Sequence, residues 1–209
     1  MASMVHDGGT SRRKEYAETT RQAIIDAARR LFSERGYFAT KVDDIATFAR
    51  VSPATVYAVS GGKQGLLHTL MEIWTTAHVV SATISRIEQM DVPEDIVRLV
   101  AAACRGMRED CGDVVRVLLT TAPHDKSVAV SLAIATDRYR QAFVPIAQRL
   151  LQLGALRDGM DLNQAVDVLW FYFGYSGLFT LHDENGWTYY RAEQWLGDQA
   201  VHALLRTDA

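Results

Sequence analysis

Apolar residues recur at steps of three and four through most of this chain, and nowhere do they alternate with polar residues over a strand's length. That single periodicity confines the fold to the all-α class. From Thr20, Ile24, Ala27, Ala28, Leu31 and Phe32 mark one helix face, and Gly36 stops the helix. Thr40 is read as the cap of a short second helix, with Asp43 and Asp44 in its first turn. After a break at Arg50-Val51, Ser52 caps a third helix with Pro53 at its first position, and Ser60-Gly61-Gly62 ends it. A long helix of about seven turns follows from Lys63 along Leu66, Leu67, Leu70, Ile73, Trp74, Ala77, Ser81 and Ile84. Later helices are expected over 94–110, 113–121, 127–153, 162–181 and 188–205, with Pro145 kinking the helix over 127–153.

Charge divides the chain. Residues 1–63 carry 10 Lys/Arg and 7 Asp/Glu, and the remainder carries 12 and 18, so a basic head precedes an acidic body. An anionic partner is expected for the head alone. Residues 1–14 read as a flexible arm, made basic by Arg12, Arg13 and Lys14; 15–62 and 63–209 read as the two domains. Two short helices joined by about three residues make a helix-turn-helix, whose second helix is narrow enough to enter the major groove. Ser52, Ala54 and Thr55 are small enough to let the backbone approach DNA closely, and Tyr57 has a hydroxyl to donate to a phosphate. Lys63 adds a cation beside a helix N-terminus.

Several signals in residues 20–70 agree in order and spacing. They are Ala27-Ala28-x-x-Leu31-Phe32-x-Glu34-x-Gly36, Thr40 ahead of Ile45-Ala46, Val51-Ser52-x-x-Thr55-x-Tyr57, and Lys63-x-x-Leu66-Leu67. In these the sequence resembles the N-terminal domain of TetR-type transcriptional regulators. The resemblance implies a symmetric dimer on a roughly palindromic operator, with recognition helices one DNA turn, ~34–36 Å, apart. It places Ser52, Pro53, Ala54 and Thr55 against bases or phosphates and Thr40, Tyr57 and Lys63 at phosphates, with Lys41 a further DNA-binding candidate. Arg12, Arg13 and Lys14 fit a minor-groove arm by charge. The sequence departs from the family at Arg50, where glycine is usual, at Ala58-Val59-Ser60, where polar residues and an aromatic are usual, and at Gly61-Gly62. An arginine held left-handed at position 50 costs about 1 kcal/mol relative to glycine.

The acidic body concentrates aromatics: 10 of the chain's 19 lie within residues 170–195. The helix over 162–181 is apolar almost all round, so it needs cover on more than one side. The resemblance implies that the last two long helices build the homodimer interface, for which Trp170, Phe171, Phe173, Tyr175, Leu178, Trp195 and Val201 are candidates. Gly174 and Gly177 permit close helix approach, between subunits or within one. The resemblance also implies a pocket for a small-molecule effector; Trp74, His78, Met107, Tyr139 and Phe143 combine apolar bodies with polar tips. Ligand binding would shift the population toward a form with the wrong spacing for DNA, with the helix from Lys63 as lever.

Other chemistries find no footing. The six histidines form no metal-ligand pair, Cys104 and Cys111 make no zinc set, and no Gly-rich phosphate loop or nucleophile elbow appears. No cofactor, metal or catalysis is expected. The longest uncharged apolar run, 14 residues between Asp167 and His182, is too short to span a bilayer. With no targeting segment visible, a cytoplasmic protein is expected. The expected function is sequence-specific transcriptional regulation, by repression relieved by an effector. The rival is a protein-interaction module of the same shape without DNA affinity.

Overall fold

The computed structural model describes residues 8–75 and 78–206. It is 81% helical with no strands among the described residues; Leu156 and Leu205 form an isolated bridge. Among the described residues eleven α-helices follow in order: α1 Gly8–Arg35, α2 Val42–Ala49, α3 Pro53–Ser60, α4 Lys63–Thr75, α5 His78–Ile87, α6 Pro93–Thr121, α7 Lys126–Gln141, α8 Val144–Gln152, α9 Leu162–Phe173, α10 Ser176–Phe179 and α11 Tyr189–Leu204. A continuous helix through 76 and 77 lies outside the described residues.

The chain forms two compact units, Met1–Ile73 with Arg116–Ala129, and Trp74–Val115 with Val130–Ala209. The division thus falls after Ile73 rather than at Lys63. The head of α4 is tied into the first unit, where Lys63 bonds to the Tyr37 and Thr40 carbonyls and Gln64 Nε2 donates to Ser127 Oγ.

In the first unit, Ile24, Ala27, Ala28, Leu31 and Phe32 are all buried, as the helical spacing requires. They share the unit with buried Ile45 and Ala46 of α2 and Val56 of α3. Helix α1 begins at Gly8, so Arg12, Arg13 and Lys14 lie on its exposed early turns rather than in a non-helical arm. Arginine, lysine, glutamate and alanine are strong helix formers and extend α1 without a buried face. Thr40 does not cap α2. It is 1% exposed, and its Oγ1 donates to the Gly36 carbonyl at 2.8 Å and lies 3.2 Å from the Leu31 carbonyl, binding the loop to the end of α1. The N-cap position falls to Lys41, whose backbone N–H donates to Asp44 Oδ2 at 3.0 Å.

In the second unit, α6 runs unbroken through Cys111-Gly112, where two helices were expected. One internal glycine costs about 1 kcal/mol, and the buried stripe Val97, Val100, Ala101, Cys104, Val114 and Val115 holds the helix across it. The helix expected over 127–153 is two: α7 ends at Gln141 and Pro145 stands in the first turn of α8. Proline is favoured where no intrahelical N–H is needed, so a new start replaces a kink. The helix expected over 162–181 breaks at Gly174, whose φ −65°, ψ −157° is extended. A Cβ there would stand 2.4 Å from the Trp170 carbonyl oxygen. Helix α9 packs against α8 and α11. Gly177 lies on α10 against Leu196 of α11, where a Cβ on it would stand 2.9 Å from the Tyr172 carbonyl oxygen and 3.4 Å from the Leu196 side chain.

Candidate functional site

The helix-turn-helix is assembled by caps. Ser52 Oγ accepts the Thr55 backbone N–H at 3.1 Å and shares a hydrogen bond with Thr55 Oγ1 at 2.8 Å, which fixes the first turn of α3. Val56 is fully buried and anchors the inner face. Ser52, Pro53, Ala54, Tyr57, Ala58 and Val59 are exposed and Thr55 is half-buried, so the N-terminal end and outer face of α3 are open. The turn before α3 depends on Arg50, at φ 58° and ψ 42° the one positive-φ residue other than glycine among those described. Its conformation lets the Val51 N–H reach the Ala46 carbonyl at 2.9 Å and close α2.

The departure at Gly61-Gly62 has a physical reason. Both residues are left-handed, at φ 71° and 89°, and a Cβ on Gly62 would stand 2.8 Å from a Tyr57 ring carbon. The two glycines let the Tyr57 ring lie against the turn while it stays 57% exposed.

Two residues expected at phosphates are committed elsewhere. Thr40 spends its buried hydroxyl on backbone carbonyls. Lys63 Nζ donates to the carbonyls of Tyr37 at 2.7 Å and Thr40 at 3.0 Å and stands 4.4 Å from the centre of the Tyr37 ring. Partial burial holds its ammonium below the usual lysine range. Lys63 is therefore a clamp joining the loop before α2 to the head of α4. Lys41 is exposed, as is Arg50.

The aromatic-rich end separates into two populations. Phe173 and Leu178, each 1% exposed, and Tyr175, 9% exposed, belong to the chain's own core and are unavailable to a partner. Phe173 is buried on α9 itself, and Tyr175 and Leu178 follow the break at Gly174. Phe171 is 74% exposed and Trp195 43%; Trp170 and Val201 are half-buried. Of the interface candidates, these four remain at the surface.

Four of the five pocket candidates meet in the second unit. The Trp74 ring stands edge-on to Tyr139 at 6.2 Å, and Tyr139 packs on Phe143 at 5.3 Å. Trp74, Met107 and Tyr139 line a cavity of about 50 Å³ with Val80, Ala135, Arg138 and Ala142. The side chain of His78 lies outside the described residues. Tyr139 Oη donates to the Phe173 carbonyl at 2.7 Å, and burial pushes its phenol well above the usual tyrosine range. The Tyr139 ring also meets Trp170 at 5.5 Å and Tyr175 at 5.9 Å. Arg108, which sequence reading passed over, lies among these rings at 1% exposure. The signal was present: Arg108 falls four residues after Cys104 and so places a charge on the apolar stripe of α6. No helix among the described residues is long and apolar enough to cross a membrane.

Residues 24–70 match the profile of a family described as bacterial regulatory proteins, tetR family. Over 177 residues the chain is 27% identical to the HTH-type transcriptional regulator YdeS of Bacillus subtilis (strain 168), covering 80% of this chain and 83% of that protein. Among solved structures, a transcriptional regulator from Saccharomonospora viridis in complex with choline superposes with a TM-score of 0.72 at 18% identity, over 89% of this chain and 97% of that one. The SmeT–triclosan complex superposes with a TM-score of 0.70 at 18% identity, over 90% and 92%. The open face of α3, the capped turn before it and the match over 24–70 converge on a helix-turn-helix similar to that of the tetR-family bacterial regulatory proteins.

Proposed function

We propose that the protein is a cytoplasmic homodimeric repressor that holds a roughly palindromic operator and leaves it when a small-molecule effector binds. The observation that carries the reading is the N-terminal end of α3, fixed by Ser52 and open to solvent across Pro53, Ala54 and Tyr57. Small residues there permit close approach to base edges, and Tyr57 and Lys41 supply donors for phosphates. Phe171 and Trp195, large apolar groups at the surface of α9 and α11, support a second copy as the partner of this face. The ligand complexes of the choline-bound regulator and of SmeT support an effector site in the helical body. The protein has no catalytic role in this reading.

The test is fluorescence anisotropy on DNA flanking the protein's own gene, at two salt concentrations, against scrambled DNA of equal length. Tight, salt-sensitive binding that prefers the native fragment is expected. Equal binding to both, with selection from random DNA recovering no preferred sequence, would overturn the reading. Sedimentation of the free protein and of Phe171→Glu should give a dimer and a weakened dimer.

A further inference from the structure

The geometry points to Arg108 as the anion-recognising group of the effector site, and to an organic carboxylate with an apolar body as the ligand class. The inference rests on the effector-release reading above and gives it a chemistry.

Arg108 is 1% exposed in the second unit. Its Nη2 donates to the Gly174 carbonyl at 3.0 Å, while Nε and Nη1 are buried without a hydrogen-bond partner. No acidic side chain pairs with it among the described residues. A buried charge with idle N–H groups is destabilising, and such an exception calls for an acceptor. A second buried donor is idle nearby: Trp74 Nε1, on a ring that contacts Tyr139 and Tyr175. Both orphaned groups donate and neither accepts, which selects an acceptor-only ligand head. A carboxylate supplies two oxygens and the compensating charge.

The surroundings define the rest. The guanidinium carbon lies 5.6 Å from the Tyr139 ring centre, 5.6 Å from Tyr175 and 5.3 Å from Phe179. Rings in this arrangement recognise cations, and here the chain's own cation already occupies them. A quaternary ammonium is therefore disfavoured. Tyr139 belongs both to this cage and to the cavity lined by Trp74, Val80 and Met107. That cavity, about 50 Å³, is small beside the roughly 300 Å³ of an ordinary ligand pocket. The ligand body is thus compact, or the aromatic walls part to admit it.

The test uses the full-length protein and matched acid–amide pairs: benzoate with benzamide, phenylacetate with phenylacetamide, octanoate with octanamide. Binding is read by tryptophan fluorescence and melting temperature, with choline as the cationic control. At least one acid should bind at least tenfold more tightly than its amide, and choline should not bind. Arg108→Met should lose that preference while melting at or above the temperature of the wild type. Trp74→Phe keeps the ring, removes the indole donor and should weaken the same acid several-fold. Absence of binding by all three acids, equal binding of acid and amide, or a preference that survives in Arg108→Met would each overturn the proposal. Operator anisotropy separates it from the reading beneath it. An acid that binds through Arg108 but leaves DNA affinity unchanged sinks the release mechanism and keeps the site. Release by a neutral or cationic compound alone keeps the mechanism and sinks the carboxylate.

Discussion

Two cations enter the interior of this protein on opposite terms. Lys63 brings its ammonium into the reading head and finds two backbone carbonyls and a tyrosine face. Arg108 brings its guanidinium into the helical body and finds one carbonyl, the Tyr139 hydroxyl, three rings and no acceptor for Nε or Nη1. The first arrangement is complete in the free chain, as a clamp must be. The second is incomplete, as a receptor is before its ligand arrives. The hydrogen-bond inventory, complete for half-buried Lys63 and incomplete for buried Arg108, is what separates the structural charge from the functional one.

The sharpest separation of the two regions is Ala54→Glu. A carboxylate at the open end of α3 meets the phosphates at a cost of several kcal/mol, so operator affinity should fall about a hundredfold or more in anisotropy. Carboxylate binding in the body should be unaffected. Next in size, Lys63→Met removes two charge-assisted bonds, each worth about 1.5–3 kcal/mol. Urea unfolding should show a loss on the order of 2 kcal/mol. The slope of log affinity against log salt should stay as in the wild type, whereas a lost phosphate contact would reduce it by about 1. The same substitution at Arg108 should have the opposite sign, neutral to stabilising, because it removes an uncompensated charge. Arg50→Gly should stabilise by about 1 kcal/mol, since glycine takes the left-handed turn freely.

The smallest effect is a pH dependence of the body. Burial raises the Cys104 thiol above its ordinary value of 9.0 and the Tyr139 phenol well above 10.0. In the unfolded chain these groups ionise near those ordinary values, while in the folded chain they keep their protons. The unfolded state then binds fewer protons, so stability is full below about pH 9 and falls as pH rises past it. Urea midpoints at pH 7.5 and 9.5 should show the decline, and Cys104→Val should reduce it.

The head was legible because its rules are local. Ile24 to Phe32 announce their face by spacing, and Ser52-Pro53 and Gly61 announce the ends of α3 by capping chemistry. The intrachain bonds of Thr40 and Lys63 were not legible, because carbonyls nine and 26 residues away do not register in a local pattern. The body was less legible because its decisive events are tertiary. Gly112 is passed over and Gly174 is obeyed. What differs is packing: the stripe around Gly112 holds α6 together, whereas the extended Gly174 offers its carbonyl to Arg108. Composition put aromatics at the interface and could not tell Phe173, which faces inward, from Phe171, which does not.

The first compact unit takes in Arg116–Ala129 as well as the N-terminal helices. Gln64 bonds to Ser127, and Phe38 meets His124 edge-on at 6.2 Å. During synthesis, then, the head is not finished when its recognition helix leaves the ribosome. About seventy further residues, on the order of 3 to 14 seconds of translation at the usual 5–20 residues per second, must emerge before its last segment, Arg116–Ala129, is complete. A graft that exchanges only the first seventy or so residues between regulators would leave that segment behind. Transplanting the DNA preference of this protein onto another body requires two cuts in the gene and two pieces carried together.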